Sequence, residues 1–328
     1  MLRLARAGLA LALGGALVLA VVVAAVLDRA GTAGPSTAET TVLVERGKGV
    51  GAIAAELAAA GVVAEPWLFR LYVRLTGAER ALTAGEYAFP AGVSTAEAVR
   101  MLRDHDVVQY RFTLVEGWTV AETFAALAAE EDLTGELPEP PPEGRLLPDT
   151  YFFQRGEARA ELVRRMREAM AVELAAAWAE RAPDLPLDGP DDALTLASII
   201  EKETAVAAER DVVAGVFVNR LERGMLLQTD PTVIYALTDG EGPLDRALLR
   251  RDLEVDDPYN TYVYPGLPPG PIANPGRASI RAAVNPAETD YLYFVADGSG
   301  GHAFARTLAE HNANVRAWRR VQRERDDG

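Results

Sequence analysis

Hydropathy divides the chain into an apolar run, a short polar stretch and a long region of alternating helical and extended periods. From Ala7 to Leu27 there are 21 residues without a charge. As a helix rising about 1.5 Å per residue, that run crosses a hydrocarbon core of about 30 Å. Residues 28–40 (DRAGTAGPSTAET) are small and polar, the composition of a flexible spacer. Beyond them Thr41–Val44 reads as a strand and Ala52–Ala60 as an alanine-rich helix. Pro66–Leu75 reads as a second helix, opened by Glu65-Pro66.

Three segments share one shape: VERGKGVGAIAAEL (44–57), FPAGVSTAEAVRML (89–102) and LVEGWTVAETFAAL (114–127). Each runs from an extended piece through glycine into a helix that ends on an apolar Leu. Such short units cannot bury a face alone, so they are expected to pack on one another. A proline-rich loop follows at 134–143, then two long helical patterns, Glu157–Glu180 and Ala193 to about Arg223. Asp257–Pro286 is crowded with Pro, Gly, Asn and Tyr, and little regular structure is expected in it. Loops that long in a compact domain are usually functional or disordered, and the tyrosines argue against disorder. Tyr291–Ala296 then reads as a buried strand and Ala309–Arg323 as a closing helix. The fold class is α+β.

Charge narrows the function. With 33 basic and 48 acidic residues the net charge is −15, so nucleic acid is an unsuitable partner. The chain has no cysteine, which excludes disulfides, thiol catalysis and Cys-ligated metals. Arg3 and Arg6 precede the apolar run, so by the positive-inside tendency the amino end stays in the cytoplasm and the remainder is exported. A cleaved signal peptide is the competing reading, and Ala30-Gly31-Thr32-Ala33 would suit cleavage. The apolar run exceeds the 7–15 residues typical of a signal peptide, however, and a retained anchor is preferred.

The segment ALTLASIIEKETAVAAERD (193–211) carries the best candidate for chemistry. On a helix, Leu196, Ile199, Ile200 and Glu203 stand at i, i+3, i+4 and i+7, on one face, while Glu201 falls on the far side near Lys202. Glu203 therefore continues an apolar stripe. Desolvation there would raise its pKa toward that of a general acid working near neutral pH. Pattern alone leaves a second reading open, in which Glu203 is a boundary residue paired with Arg210 or Lys202. Further on, Asp230-Pro231 is an ordinary helix start that Thr229 could cap, although Gln228 and Asp230 are also suited to bonding sugar hydroxyls. Tyr259-Asn260-Thr261-Tyr262, with its neighbouring prolines and glycines, has the aromatic and amide chemistry of a glycan groove. Of the three histidines, His105, His302 and His311, the last two match no zinc spacing and are assigned structural or substrate-binding roles. No nucleophile elbow, P-loop or dinucleotide fingerprint is present.

Taken in order, these segments resemble the YceG-like endolytic murein transglycosylases. The likeness covers nearly the whole chain. It rests on Leu114-Val115-Glu116-Gly117, Leu147-Pro148-Asp149-Thr150-Tyr151, Ala197 to Thr204 (ASIIEKET) and Leu227 to Tyr235 (LQTDPTVIY). Tyr259-Asn260-Thr261-Tyr262, Gly266 to Ile272 (GLPPGPI) and Tyr293-Phe294-Val295-Ala296 leading to His302 complete it. One departure is Glu143-Gly144-Arg145-Leu146, where the family usually has aromatics.

The resemblance implies a cytoplasmic tail (1–6), a single transmembrane helix (7–27), a linker (28–40), a small LysM-like subdomain (41–108) and a mixed α+β catalytic domain (109–328) facing the periplasm from the inner membrane. It implies cleavage of the MurNAc-β-1,4-GlcNAc bond of nascent peptidoglycan strands to leave a 1,6-anhydroMurNAc end. It also implies termination of strand elongation and work alongside peptidoglycan synthases. The family's catalytic glutamate falls on Glu203, the residue the helical pattern selects. One acid/base residue then suffices, since the sugar's own C6 hydroxyl attacks, and no metal or cofactor is called for. Gln228, Asp230, Tyr259 and Asn260 are the expected sugar contacts. The alternative is a non-catalytic LysM-like glycan-binding scaffold for synthases. A further option is a hydrolase with Asp230 as second carboxylate.

Overall fold

A computed structural model of the chain describes residues 2–326; the side chains of Arg3 and Arg6 lie outside the described residues. The chain forms two compact units. The first comprises residues up to Tyr110 together with Phe152–Gly156, and the second Arg111–Tyr151 together with residues from Glu157 onward.

In the first unit, helix α1 (Leu2–Ala30) contains the apolar run, and its window Leu13–Ala30 is long and apolar enough to cross a membrane. Val26 and Ala30 are buried in one cluster with Leu68, and Leu71, Tyr72 and Ala96 pack against it. Residues 31–39, expected as a flexible spacer, are instead tied down. Gly34 N donates to Gly92 O at 3.1 Å, and Gly92 N donates to Ser36 O at 2.8 Å. A Cβ on Gly34 would stand 2.3 Å from Val93 O. Small residues here allow close backbone approach, a use that composition cannot distinguish from flexibility.

Strand β1 (Thr40–Val44) pairs antiparallel with β2 (Gly85–Phe89), with Val42 opposite Tyr87. Between them run α2 (Val50–Ala59) and α3 (Pro66–Thr76), which Pro66 opens in its first turn and Gly77 ends in the left-handed conformation. Helix α4 (Thr95–Asp104) follows, capped by Ser94, whose Oγ accepts from Glu97 N at 3.1 Å. Leu57, Phe69, Tyr87, Phe89 and Leu102 fill the core.

The second unit is mostly helical. Strands β3 (Tyr110–Thr113) and β4 (Thr150–Phe153) form a two-stranded sheet. Helix α5 (Val120–Ala129) opens with a capping box between Thr119 and Glu122. Of the three repeated segments, the helices of the first two belong to the first unit and α5 to the second. Helix α6 (Arg159–Ala179) precedes α7 (Pro190–Glu203), whose residues Ala193–Ile200 are all buried.

The helix expected from Ala193 to Arg223 is two helices. Helix α7 stops at Glu203 because Thr204 is extended (φ −139°, ψ 127°), and its hydroxyl accepts from Val206 N at 3.0 Å. A short 3₁₀ turn at Ala207–Glu209 leads into α8 (Arg210–Glu222). A threonine hydroxyl that bonds the local backbone competes with the helical ladder. Helix α9 (Asp230–Thr238) is followed by the Tyr- and Pro-rich segment, which includes one regular element after all, α10 (Arg277–Val284), with Ile280, Ala282 and Ala283 in the core. The β5 (Tyr293–Ala296) and β6 (His302–Ala305) hairpin and helix α11 (Leu308–Asp326) close the unit.

Candidate functional site

Helix α7 is the central strut of the second unit. Ser198 accepts from Ile272 N at 3.0 Å and donates to Thr195 O at 2.7 Å, which fastens the glycine- and proline-rich segment to the helix. Asn274 continues that bracing. Its Oδ1 accepts from Leu146 N, and its Nδ2 donates to Trp118 O, both at 2.9 Å. The last residue of this fixed helix is Glu203.

Glu203 opens into a cavity of about 490 Å³, within the usual size of small-ligand sites. Helix α8 contributes Phe217 and Arg220. The start of α9 brings Gln228 and Asp230, strand β5 brings Tyr293 and Phe294, and His311 comes from α11. Tyr262 reaches in from the loop and donates from its hydroxyl to Asp230 Oδ1 at 2.6 Å. Aromatic rings beside carboxylates suit a sugar, with rings for its faces and charged or amide groups for its hydroxyls.

The electrostatics favour the protonated form of Glu203. Burial pushes its pKa up, and the Asp230 carboxylate adds to that shift. Its position at the carboxyl end of α7 acts in the same direction, because the helix dipole disfavours negative charge there. Three groups oppose. The buried Thr229 hydroxyl, which has no hydrogen-bond partner of normal geometry among the described residues, lies close enough to favour the ionised form, as do His302 and Arg220. Thr229 precedes α9 but makes no side-chain cap, so the capping role expected of it is replaced by this contact.

Arg220 is buried and held by carbonyls. Nε donates to Leu292 O at 2.6 Å and Nη1 to Leu227 O at 2.7 Å, while the guanidinium lies 5.2 Å from the Tyr293 ring centroid. Tyr293 stacks in turn on His311 (5.2 Å), whose pKa is lowered by burial and by Arg220. His302 Nδ1 is 2.7 Å from Glu209 Oε2 and its ring meets Phe294 edge-on. His311 thus lines the cavity, while His302 stands behind it against Phe294.

Of the residues the sequence nominated, Glu203, Gln228 and Asp230 come together. Gln228 is held there in a left-handed conformation (φ 52°), with its N donating to Thr261 O at 3.1 Å. Tyr259 and Asn260 do not line the cavity. Asn260 is fully buried and spends its amide inside its own loop: Nδ2 donates to Val255 O (2.8 Å) and Leu253 O (3.1 Å), and Oδ1 accepts from Tyr262 N (3.0 Å). Tyr259 packs on Tyr235 with ring centroids 4.7 Å apart. Asn260 thereby positions Tyr262, the ring that does reach Asp230.

Glu201 is also not where the helical wheel puts it. Its side chain is 7% exposed, accepts from Gly276 N at 2.9 Å and lies 3.9 Å from Arg210. A wheel assumes one solvent face, and α7 has almost none. The two glutamates divide into a structural tie and a free acid. Arg220, Tyr293 and Phe294 were not proposed as site residues from sequence, although Tyr293 and Phe294 belong to one of the motifs that carry the resemblance and an arginine in the apolar run Val212–Leu221 was a visible signal. A larger cavity of about 780 Å³, beside Gly215 and Asn219 on α8, contains none of the nominated site residues.

The sequence profile of the YceG-like family matches residues 42–317. The chain belongs to the YceG-like family. It is 34% identical over 301 residues to a Bacillus subtilis protein named endolytic murein transglycosylase, covering 82% of each chain. A Streptococcus pneumoniae protein of the same name is 29% identical over 324 residues; the match takes in 84% of this chain and 57% of that one. A 2.6 Å crystal structure of a YceG-like protein from Listeria monocytogenes aligns with a TM-score of 0.52 at 32% identity, over 85% of this chain and 99% of that one.

Proposed function

We propose that this family member, a lytic transglycosylase acting on peptidoglycan, cuts the MurNAc-β-1,4-GlcNAc bond within nascent strands with Glu203 as its single acid/base. The observation that carries the reading is a carboxyl group at the end of a rigid buried helix, facing a ring-lined cavity, with burial and Asp230 raising its pKa. Protonated Glu203 donates to the glycosidic oxygen while the muramic ring develops oxocarbenium character. The leaving strand carries that proton away. The C6 hydroxyl of the same sugar then attacks C1, and ionised Glu203 takes its proton, leaving a 1,6-anhydro end and restoring the acid. Arg220 and the Thr229 hydroxyl favour the carboxylate at that intermediate stage, so the group is tuned between its two states.

Gln228, Asp230 and Tyr262 are the proposed sugar contacts. Helix α1 is proposed as a single-pass anchor with a cytoplasmic amino end and both units on the far side of the inner membrane. The first unit is read as a LysM-like glycan-binding element. Termination of strand growth beside a synthase fits an endolytic cut close to the membrane.

A second reading draws on Asp230, the other carboxylate in the cavity: a hydrolase would use it to hold water. The products decide. Full-length protein incubated with peptidoglycan strands should release 1,6-anhydro-muropeptides, read by mass spectrometry, and Glu203→Gln should release none. Reducing-end products from the native protein would establish the hydrolase instead.

A further inference from the structure

Helix α3 presents a face, exposed at both ends, that the catalytic site does not use. At about 100° per residue, Trp67, Leu71 and Leu75 form an i, i+4, i+8 stripe, flanked on one side by Arg70 and Arg74. Trp67 is 50% exposed and Leu75 41%, and both arginines are exposed. The opposite side of the helix, Phe69 and Val73, is in the core. Neither arginine makes an ion pair or side-chain hydrogen bond among the described residues, which leaves both guanidiniums open to a ligand.

The position of this face follows from what α3 touches. Val26 and Ala30 of α1 pack with Leu68, and Leu71, the middle of the stripe, packs against the same cluster. Val23, one turn earlier, is half-buried on the same side of α1. Val26 is one residue, about 1.5 Å, before the end of the uncharged run. If that run spans the bilayer, a helix about 10 Å wide lying against Val26 must occupy the interfacial zone, which extends only about 5–8 Å beyond the hydrocarbon on each side. The bidentate pair of Arg29 with Glu65, at 2.5 and 3.0 Å, and the folded segment 31–39 deny the unit a tether on which to rise away.

We infer that α3 is an interfacial helix and that its Trp67–Leu75 face with Arg70 and Arg74 binds the headgroup layer of anionic phospholipids. Trp at headgroup depth, Leu in the acyl boundary and Arg on phosphate are the chemistry such a surface needs. The middle of the stripe, Leu71, packs on the cluster that contains Val26 and Ala30 of α1, and the unpaired guanidiniums complement lipid phosphate in an otherwise acidic protein. The inference rests on α1 being a membrane anchor. Its consequence is that the first unit lies on the membrane surface and is not suspended above it.

The chain has no cysteine, so single-cysteine labels are unambiguous. Full-length protein is reconstituted in phosphatidylglycerol-containing bilayers with an environment-sensitive fluorophore at Leu75→Cys or, separately, Leu17→Cys. Quenching by headgroup-nitroxide lipid is compared with quenching by aqueous iodide. The expected result is strong lipid quenching at 75, with iodide quenching reduced several-fold. Lipid quenching at 75 should be several-fold stronger when the nitroxide is carried by phosphatidylglycerol than by phosphatidylcholine, and Arg70→Glu with Arg74→Glu should abolish that preference. A label at 17 quenched by lipid while 75 is quenched by iodide alone overturns the inference and leaves the anchor intact. A label at 17 open to iodide removes the anchor reading and the inference with it. Equal quenching at 75 by the two labelled lipids, or a preference that survives the charge reversal, overturns the assignment to anionic headgroups.

Discussion

Glu203→Gln separates the stability of this fold from its chemistry, because the two should move in opposite directions. The substitution preserves shape and removes the proton. Positioned general acids contribute about 10²–10⁴-fold, and here one group is proposed to donate and later to accept. A loss toward the upper end, about 10³–10⁴-fold or roughly 4–5 kcal/mol in barrier, is therefore expected. Stability runs the other way. Burial raises the folded-state pKa of Glu203 above its unfolded value, so the native state holds the extra proton between those two pKa values. Native stability consequently falls as pH rises through that window and stays reduced above it.

Gln cannot ionise, so the variant escapes this cost. It should unfold at a higher temperature than the native protein at pH 8, and the gap should close as pH falls to 4. Thermal unfolding at several pH values, run beside anhydro-muropeptide release from defined strands, reads both effects. A variant that keeps more than about a tenth of the activity, or one that is less stable than the native protein at pH 8, would refute the placement of a protonated acid at this position.

The neighbours of Glu203 should move its titration in opposite senses. Asp230→Asn removes the negative charge that holds the pKa up, so the alkaline limb of the pH–rate profile should shift to lower pH; Thr229→Val removes a hydroxyl that favours the ionised form and should shift it to higher pH. Glu143, which caps α5 by accepting from Val120 N at 3.0 Å, has its pKa raised to about 7 mainly by burial. Ionising it costs about 3 kcal/mol, so stability should drop between about pH 4.5 and 7, and chemical denaturation of Glu143→Gln should show a flatter pH dependence there. Gly215→Ala would place a Cβ 2.5 Å from Ala287 O on the wall of the larger cavity; a loss of about 1–3 kcal/mol is expected, with kcat little changed because Glu203 faces a different cavity.

Much was legible in the chain because local rules agreed with the final packing. The uncharged run, the Glu65-Pro66 helix start, the strand at 40–44 and the closing helix are encoded by composition and period, and the motif around Glu203 stands out as a carboxylate continuing an apolar stripe. What period and composition cannot express is how an element is enclosed. Helix α7 is buried on nearly every face, so the wheel that favoured Glu203 over Glu201 relied on a solvent side that does not exist. Both glutamates are shielded, and they differ only because Gly276 N and Arg210 occupy one and a cavity receives the other.

Residues 28–40 show the same limit. Small polar residues are equally suited to a loose tether and to close backbone contact, and only the partner segment at Ser36, Gly92 and Val93 decides between them. Asn260 and Tyr262 share one motif, yet the loop turns the amide inward and the ring toward Asp230. A residue's chemistry is local, but its exposure, and therefore its pKa and its access to a ligand, is set by chain that lies tens of residues away.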